Sequence, residues 1–485
     1  MSRARGLALR PAIALLSVLA LRCADGRAEP EIASIEEAAS GAPSTRLPPS
    51  AAGSGAAAGR AAAREAADPR AHIPPARAIV WIGGDVLVSE AIADFVEDSG
   101  APAEALAELI EPVSTLWRQD TGASLVLLNL ETPIAAIRRR DRLQDQHERR
   151  SPEHLAPIRL NAERWLAAGL ARAGVGAVML ANNHALDQER EGLAETIEAA
   201  HGAGLETVGA GIWPEIVSEL GIGEESARIC ILAFYEGLRR EPPIDPGVAG
   251  LSMLDEGSLE KVERASRRGD TVVVVIHVLG ELLEAPKPRW RQWARRLAER
   301  GADAVAMHGT HLVMEVEQLS IGERSVPIAY GLGNFISDMG RLASPRRSPE
   351  PGRKEHSAAV HEGLMMRIER EAGEAPRIGF VPIWMSDDRF VAWHASRPAS
   401  SADDETAAGG LISFALWPLA ACGEPFALPA QWNEPARGEM MSWIAGRRDH
   451  LLEISGLVPS RCDPGRRGVL ELSPSAAEPV TLRPR

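Results

Sequence analysis

Four cysteines in 485 residues are too few to frame a fold with disulfides, and no CxxC pair suggests a zinc cluster. Cys230 lies in the apolar run RICILAF and reads as a core thiol, while Cys422 and Cys462 are candidates for pairing in an oxidising compartment. Excess positive charge is also missing. The formal net charge is −14, and no basic tract is long enough to follow a phosphate backbone, so nucleic acid is not expected as a partner. The short RRRDRLQDQHERR at 138–150 alternates in sign and reads as a solvated loop.

Nor does the N-terminal apolar run, residues 11–21, reach the roughly 20 residues that a membrane-spanning helix needs. Preceded by Arg3, Arg5 and Arg10 and followed by Gly26-Arg27-Ala28, it reads as an export signal, 1–28, cut after Ala28. Lipid anchoring through Cys23 is the alternative, although Leu21 and Arg22 fit a small-residue lipidation site poorly. Residues 29–77 are rich in Ala, Gly, Ser and Pro with hardly any large apolar side chain. They cannot bury enough surface to offset their ordering entropy and read as a flexible tether.

From residue 78 the pattern changes. AIVWIGG, SLVLLNL, VGAVMLA, LETVGAG, RICILAFY, TVVVVIH, ADAVAMH and VPIAYGLG are short apolar runs bounded by Gly, Asn or charge, and they read as buried strands. NAERWLAAGLARAG and EREGLAETIEAAHGAG between them carry apolar residues at helical spacing and end on Gly. Strand alternating with helix argues for an α/β domain over 78–390. In RWRQWARRLAERGAD, Trp290, Trp293, Ala294, Leu297 and Ala298 fall on one helical face, so its arginines read as the wet side of a core-facing helix. Residues 339–361 form a charged, Pro-rich insertion, strands resume at EGLMMRIERE and RIGFVPIWM, and 391–485 is an extension without assigned role, with a helix expected around EMMSWIAGRRDHLLEIS.

Chemistry-bearing residues stand where the strands end. Asp85 follows VWIGG, Glu131 follows LVLLNL, and Asn182, Asn183 and His184 follow VGAVMLA. His277 follows VVVVI, His308 and His311 follow AVAM, and Asn334 follows IAYGLG. Ligands of open α/β sheets bind outside the carboxyl ends of the strands, so these side chains are expected to converge. Two carboxylates, an amide and several imidazoles form a mixed oxygen and nitrogen set suited to Mn, Fe or Zn. A pair of such ions activates a water and clamps a phosphoryl group, and a nearby histidine can protonate the leaving oxygen. Asn182 is expected to cap the helix entered at Leu186.

The blocks GGDVLVSE, NLETPI, LANNHALDQEREGLAETIEAAHGAGLETVGAG, IHVLGE, GADAVAMHGTHLVMEVEQ and IAYGLGNFISD resemble the CapA, or poly-γ-glutamate capsule synthesis, family. That family lies within the calcineurin-like metallophosphoesterase superfamily. The resemblance implies a layered sandwich of β-sheets flanked by helices and one or two divalent ions. Asp85 is then a metal ligand, Glu131 a bridging one, Asn183 a ligand of the second metal, and His277 and His311 complete the shell. His184 acts on the substrate as acid or transition-state stabiliser, with Glu281 and Asn334 binding or shaping the site. The resemblance also implies an exported hydrolase of capsule, poly-γ-glutamate or other envelope polymer synthesis. Its partners would be that polymer or a small phosphoester, and membrane-bound capsule synthesis proteins. A polymer-binding or anchoring component without turnover is the alternative. The family's first histidine of His-Pro-His is replaced by Gly309, with His308 the candidate substitute one position earlier. The wider superfamily opens with DxH, where Asp85-Val86-Leu87 supplies no histidine, and HVLGE lacks the family's tryptophan.

Overall fold

The computed structural model describes residues 76–88, 90–136, 159–237, 246–337, 339, 358–387, 414–419, 434–457 and 470–471. The expected export signal, nearly all of the tether, the 138–150 loop, Cys422, Cys462 and most of the 339–361 insertion lie outside the described residues.

The chain opens with β1 (Arg77–Leu87), two helices α1 (Glu90–Asp98) and α2 (Pro102–Arg118), and β2 (Ala123–Leu130). Then come α3 (Trp165–Arg172), β3 (Ala177–Met179), α4 (Glu189–Gly202) and β4 (Glu206–Val208). The expected strand LETVGAG is thus cut short: Gly209, with φ +88°, ends β4, and a new strand β5 (Ala210–Ile212) leaves for a separate small sheet with β6 (Glu215–Val217) and β9 (Ala249–Leu251). Next are β7 (Glu219–Ile222), β8 (Ile229–Tyr235), α5 (Glu256–Arg267), β10 (Thr271–His277), α6 (Pro288–Glu299) and β11 (Ala304–His308). The chain continues through β12 (Val316–Ile321), β13 (Arg324–Ala329), β14 (Asn334–Ser337), β15 (Glu362–Glu371) and β16 (Arg377–Asp387). It closes with β17 (Phe414–Pro418), α7 (Glu434–Ser455) and β18 (Leu470–Glu471).

Two mixed sheets result. One runs β17-β16-β15-β1-β2-β3-β4, with β14 added to β1 and β18 to β16; the other runs β12-β13-β11-β10-β8-β7. Alternation along each strand decides how they stack. Ala78, Val80 and Ile82 of β1 share a core with Ile229, Ile231 and Ala233 of β8 and Val273 and Val275 of β10, so these faces of the two sheets oppose each other. Ile79 and Trp81 point the other way, into a core with α1 to α4, and Val272, Val274 and Ile276 pack on α5 and α6. The domain is therefore layered helix, sheet, sheet, helix, as strand pleating requires when both faces of each sheet are apolar.

Local chemistry supports these elements. Asp255 accepts a hydrogen bond from Ser258 N at 3.2 Å while Ser258 Oγ accepts from Asp255 N at 3.1 Å, a capping box that starts α5. In α6, Trp290, Ala294, Leu297 and Ala298 are buried, as their spacing predicts. The extension beyond residue 390 adds β17 and β18 to the larger sheet, and Leu451, Leu452 and Leu457 enter the core between the sheets. Packing therefore continues past that boundary.

Within the larger sheet β1, β2, β3 and β4 are parallel, and in the other β8, β10, β11 and β13 are parallel. Their carboxyl ends carry the residues of interest.

Candidate metal centre

Asp85 enters the site through a tight approach of backbones. A Cβ on Gly84 would stand 2.1 Å from Gly333 O, and Asp85 N donates to that same carbonyl at 3.1 Å. The GGD of β1 and the GLGN turn before β14 are thus steric partners, pairing Asp85 beside Asn334. Glu131 follows β2 directly, and its N–H donates to Val86 O at 3.1 Å, which aims its side chain at the same spot.

Both carboxylates are wholly buried, but their surroundings differ. Asp85 Oδ1 accepts from Asn129 Nδ2 at 2.8 Å; Oδ2 accepts from Gly309 N at 3.1 Å and lies 3.2 Å from His311 Nδ1. Burial opposes charge on Asp85, but the hydrogen bond and charge of His311 outweigh it and hold this carboxyl below its usual range. Glu131 has no hydrogen-bond partner on either oxygen among the described residues, and burial pushes it up to about 7. Around Glu131 Oε1 stand three imidazole nitrogens: Nε2 of His277 and of His311 at 3.8 Å, and Nε2 of His184 at 4.0 Å. One ligand atom from each of Asp85, Glu131 and His277 falls within 4.8 Å of the others.

This donor set fits a divalent ion. A buried carboxylate without partners is costly, and an ion beside it offsets that cost while engaging the imidazoles. His277, pushed down to about 3 by burial, is held neutral, the form that ligates. His311 is raised to about 10: burial opposes its charge, and Glu131 and Asp85 together prevail. Its φ of 56° places a non-glycine residue in the left-handed region, a strain of about 1–3 kcal/mol found where function holds a backbone in place. Its Nδ1 also lies 3.0 Å from Asn334 Oδ1, and Asn334 Nδ2 donates to Val360 O at 2.8 Å, so Asn334 positions the ring.

His308 is buried; its Nε2 lies 2.9 Å from Gly83 O and its Nδ1 has no partner among the described residues. Gly309 has φ +85°, and a Cβ there would come 2.5 Å from His277 Nε2, so this position carries no side chain while His277 keeps its place. Asn183 and Glu281 are exposed, the latter close enough for its charge to bear on Glu131 and His311.

Asn182 does not cap a helix. The helix α4 begins at Glu189 with Gln188 as its N-cap, and Asn182 is instead buried: its Nδ2 donates to Leu130 O at 2.8 Å and Asn129 Oδ1 at 3.3 Å, and its Oδ1 accepts from His184 N at 3.1 Å. The amide serves the neighbouring strand end, which a reading of the local sequence does not reveal.

Two further residues escaped the sequence reading. Asn129 Nδ2 bridges Asp85 Oδ1 and His277 Nδ1, the latter at 3.1 Å, and its position one residue before the end of an apolar strand was the available signal. Asp187 Oδ2 lies 2.7 Å from His184 Nδ1 and accepts from Leu160 N at 2.6 Å. Three residues after the histidine within one turn, it was discoverable from spacing. Burial opposes charge on His184, yet the Asp187 hydrogen bond and Glu131 raise its pKa.

The family model described as bacterial capsule synthesis protein PGA_cap matches residues 79–339. The chain is 29% identical over 194 residues to a capsule biosynthesis protein CapA of Bacillus anthracis, covering 38% of this chain and 45% of that protein. It is 27% identical over 305 residues to a probable polyglutamine synthesis accessory protein of Mycobacterium tuberculosis, covering 54% and 75%. Among solved structures, a 5'-nucleotidase precursor from Thermus thermophilus is similar at 13% identity and a TM-score of 0.33, covering 78% of this chain and 60% of that one. With a family match that spans the strand-end cluster from Asp85 to Asn334, this chain belongs to the bacterial capsule synthesis protein PGA_cap family.

Proposed function

We propose that the protein is an exported, metal-dependent hydrolase of the metallophosphoesterase type that processes a phosphoester in the synthesis of poly-γ-glutamate or another envelope polymer. The observation that carries this reading is Glu131, a fully buried carboxylate whose two oxygens have no hydrogen-bond partner among the described residues and which has three histidine nitrogens 3.8–4.0 Å away. Glu131, His277 and His311 would hold the ion, with Asp85 and Asn183 completing or supporting the shell. A bound divalent ion supplies Lewis acidity and a nucleophilic water at neutral pH.

The chain's own residues supply the proton. Asp187 fixes the His184 ring through Nδ1, leaving Nε2, on the Glu131 side, to hold the proton that a leaving oxygen needs. Burial opposes charge on this ring, but the Asp187 hydrogen bond and the Glu131 charge raise its pKa and so favour that acid form. A general acid of this kind contributes about 10²- to 10⁴-fold in rate. Hydrolysis of p-nitrophenyl phosphate by the Mn-loaded protein, with kcat reduced roughly 100-fold or more in His184→Ala at unchanged metal content, is the expected result. Metal binding without turnover in either protein would abandon the hydrolase in favour of a polymer-binding component. The absence of a side chain at Gly309, in a site otherwise rich in histidine, favours that second reading over other non-catalytic roles.

A further inference from the structure

The two carboxylates of the centre are equally buried yet chemically unequal, and the difference bears on how many ions the site takes. A pair of ions about 3.5–4 Å apart needs a bridging carboxylate and separate donors for each ion. Glu131 has no hydrogen-bond partner on either oxygen among the described residues, whereas each Asp85 oxygen already receives a protein donor: Asn129 Nδ2 at 2.8 Å on Oδ1, Gly309 N at 3.1 Å on Oδ2. The three Nε2 atoms of His184, His277 and His311 all surround the same atom, Glu131 Oε1. His308, the candidate extra ligand, donates its Nε2–H to Gly83 O at 2.9 Å, which leaves Nδ1 open among the described residues, but His308 is not among the residues whose ligand atoms lie within 4.8 Å of one another, which are Asp85, Glu131 and His277. Position 309 cannot contribute, because a Cβ there would stand 2.5 Å from His277 Nε2. Charge points the same way: one divalent ion neutralises the two buried carboxylates, whereas two would leave a buried site with two uncompensated positive charges, which is strongly disfavoured in a low-dielectric interior.

We infer that the centre takes a single divalent ion, seated against Glu131, and that Asp85 holds the Asn129 amide and the His311 ring in place and binds no second ion. This rests on the metal-centre reading above and sharpens it: Asp85 is a positioning residue, and Glu131 is a terminal ligand and not a bridge.

The test is a titration of the metal-free full chain with MnCl2, followed by calorimetry and by electron paramagnetic resonance, for wild type, Glu131→Gln and Asp85→Asn. One Mn per chain with the spectrum of an isolated ion is expected for wild type, with binding lost in Glu131→Gln. Asp85→Asn is expected to keep one-to-one stoichiometry with affinity lowered about 10- to 100-fold, as when an outer partner of a ligand is removed. Two ions per chain with an exchange-coupled spectrum in wild type would overturn this inference and leave the metal-dependent function standing. A wild type that binds none would overturn both. Because the wild-type stoichiometry decides the matter, a variant that fails to fold leaves the test intact.

Discussion

Gly309 shows how one missing side chain can shape a centre. Its φ of +85° and the 2.5 Å approach of a would-be Cβ to His277 Nε2 mean that Gly309→Ala must either rotate the backbone or push the imidazole aside. We predict a loss of stability of about 1–3 kcal/mol and a clear fall in metal affinity, read by thermal melting and by titration with Mn. Unchanged melting and affinity would show that the ring has room to yield. Cys230 illustrates the opposite case, a side chain the site does not use. Burial pushes its thiol up to about 12, so at pH 8, well below that value, it is almost wholly the neutral and unreactive form. Peptide mapping after treatment with iodoacetamide at pH 8 is expected to find Cys230 unlabelled in the native protein and labelled in urea.

At the scale of elements, the C-terminal helix α7 is part of the domain. Leu451 is wholly buried in the core between the sheets, and Arg447 pairs with the buried Glu362 at the start of β15. Leu451→Ala is expected to cost about 2–5 kcal/mol in denaturant unfolding, from lost burial plus the cavity left behind. A cost near zero would mean that the helix packs only loosely. At the opposite end of the sheet, Arg367 donates to Glu369 at 2.6 Å and Asp120 at 3.1 Å, and Trp81 Nε1 donates to Asp120 at 2.6 Å. Glu369 also receives Arg77 at 2.7 Å and Arg377 at 2.6 Å. This buried network ties β1 to β15 and to the end of α2. Arg367→Met would leave carboxylates short of a cation, and a loss of about 3–5 kcal/mol is expected on unfolding.

For the whole molecule, an ion that binds only the folded chain couples metal to stability. At a concentration 100 times its Kd it contributes about 2.7 kcal/mol. Chelation should therefore lower the Tm of wild type and leave that of Glu131→Gln unchanged. The coupling depends on pH with a definite sign. Without metal, Glu131 keeps its proton up to about 7 and His311 up to about 10, so below pH 7 an ion displaces a proton from each, and above it from His311 alone. Mn affinity is expected to rise with pH, roughly tenfold per unit for each proton displaced, and a flat profile in calorimetry between pH 6 and 8 would contradict the ligand assignment.

The strands and most helices were legible from residue order because pleating and helical repeat are local: the β-branched run TVVVVIH becomes β10, and the Trp290-to-Ala298 spacing becomes the buried face of α6. The placing of Glu131 and His277 at strand ends was equally legible, since a chain leaving an apolar sheet can set a polar residue there, whereas Asp85 stands inside β1, at a register shift two residues before the strand ends at Leu87. What residue order did not contain was the pairing across the sheets. Asn182 was expected to serve its own helix and serves Asn129 and Leu130, because β3 lies beside β2 and its amide finds its partners across the strand boundary. Asp85 and Glu131 read alike as acidic strand ends. Only the folded chain, which brings Gly309 N, Asn129 and His311 to one and leaves the other without a hydrogen bond among the described residues, distinguishes them, because hydrogen-bond satisfaction is a property of neighbours in space.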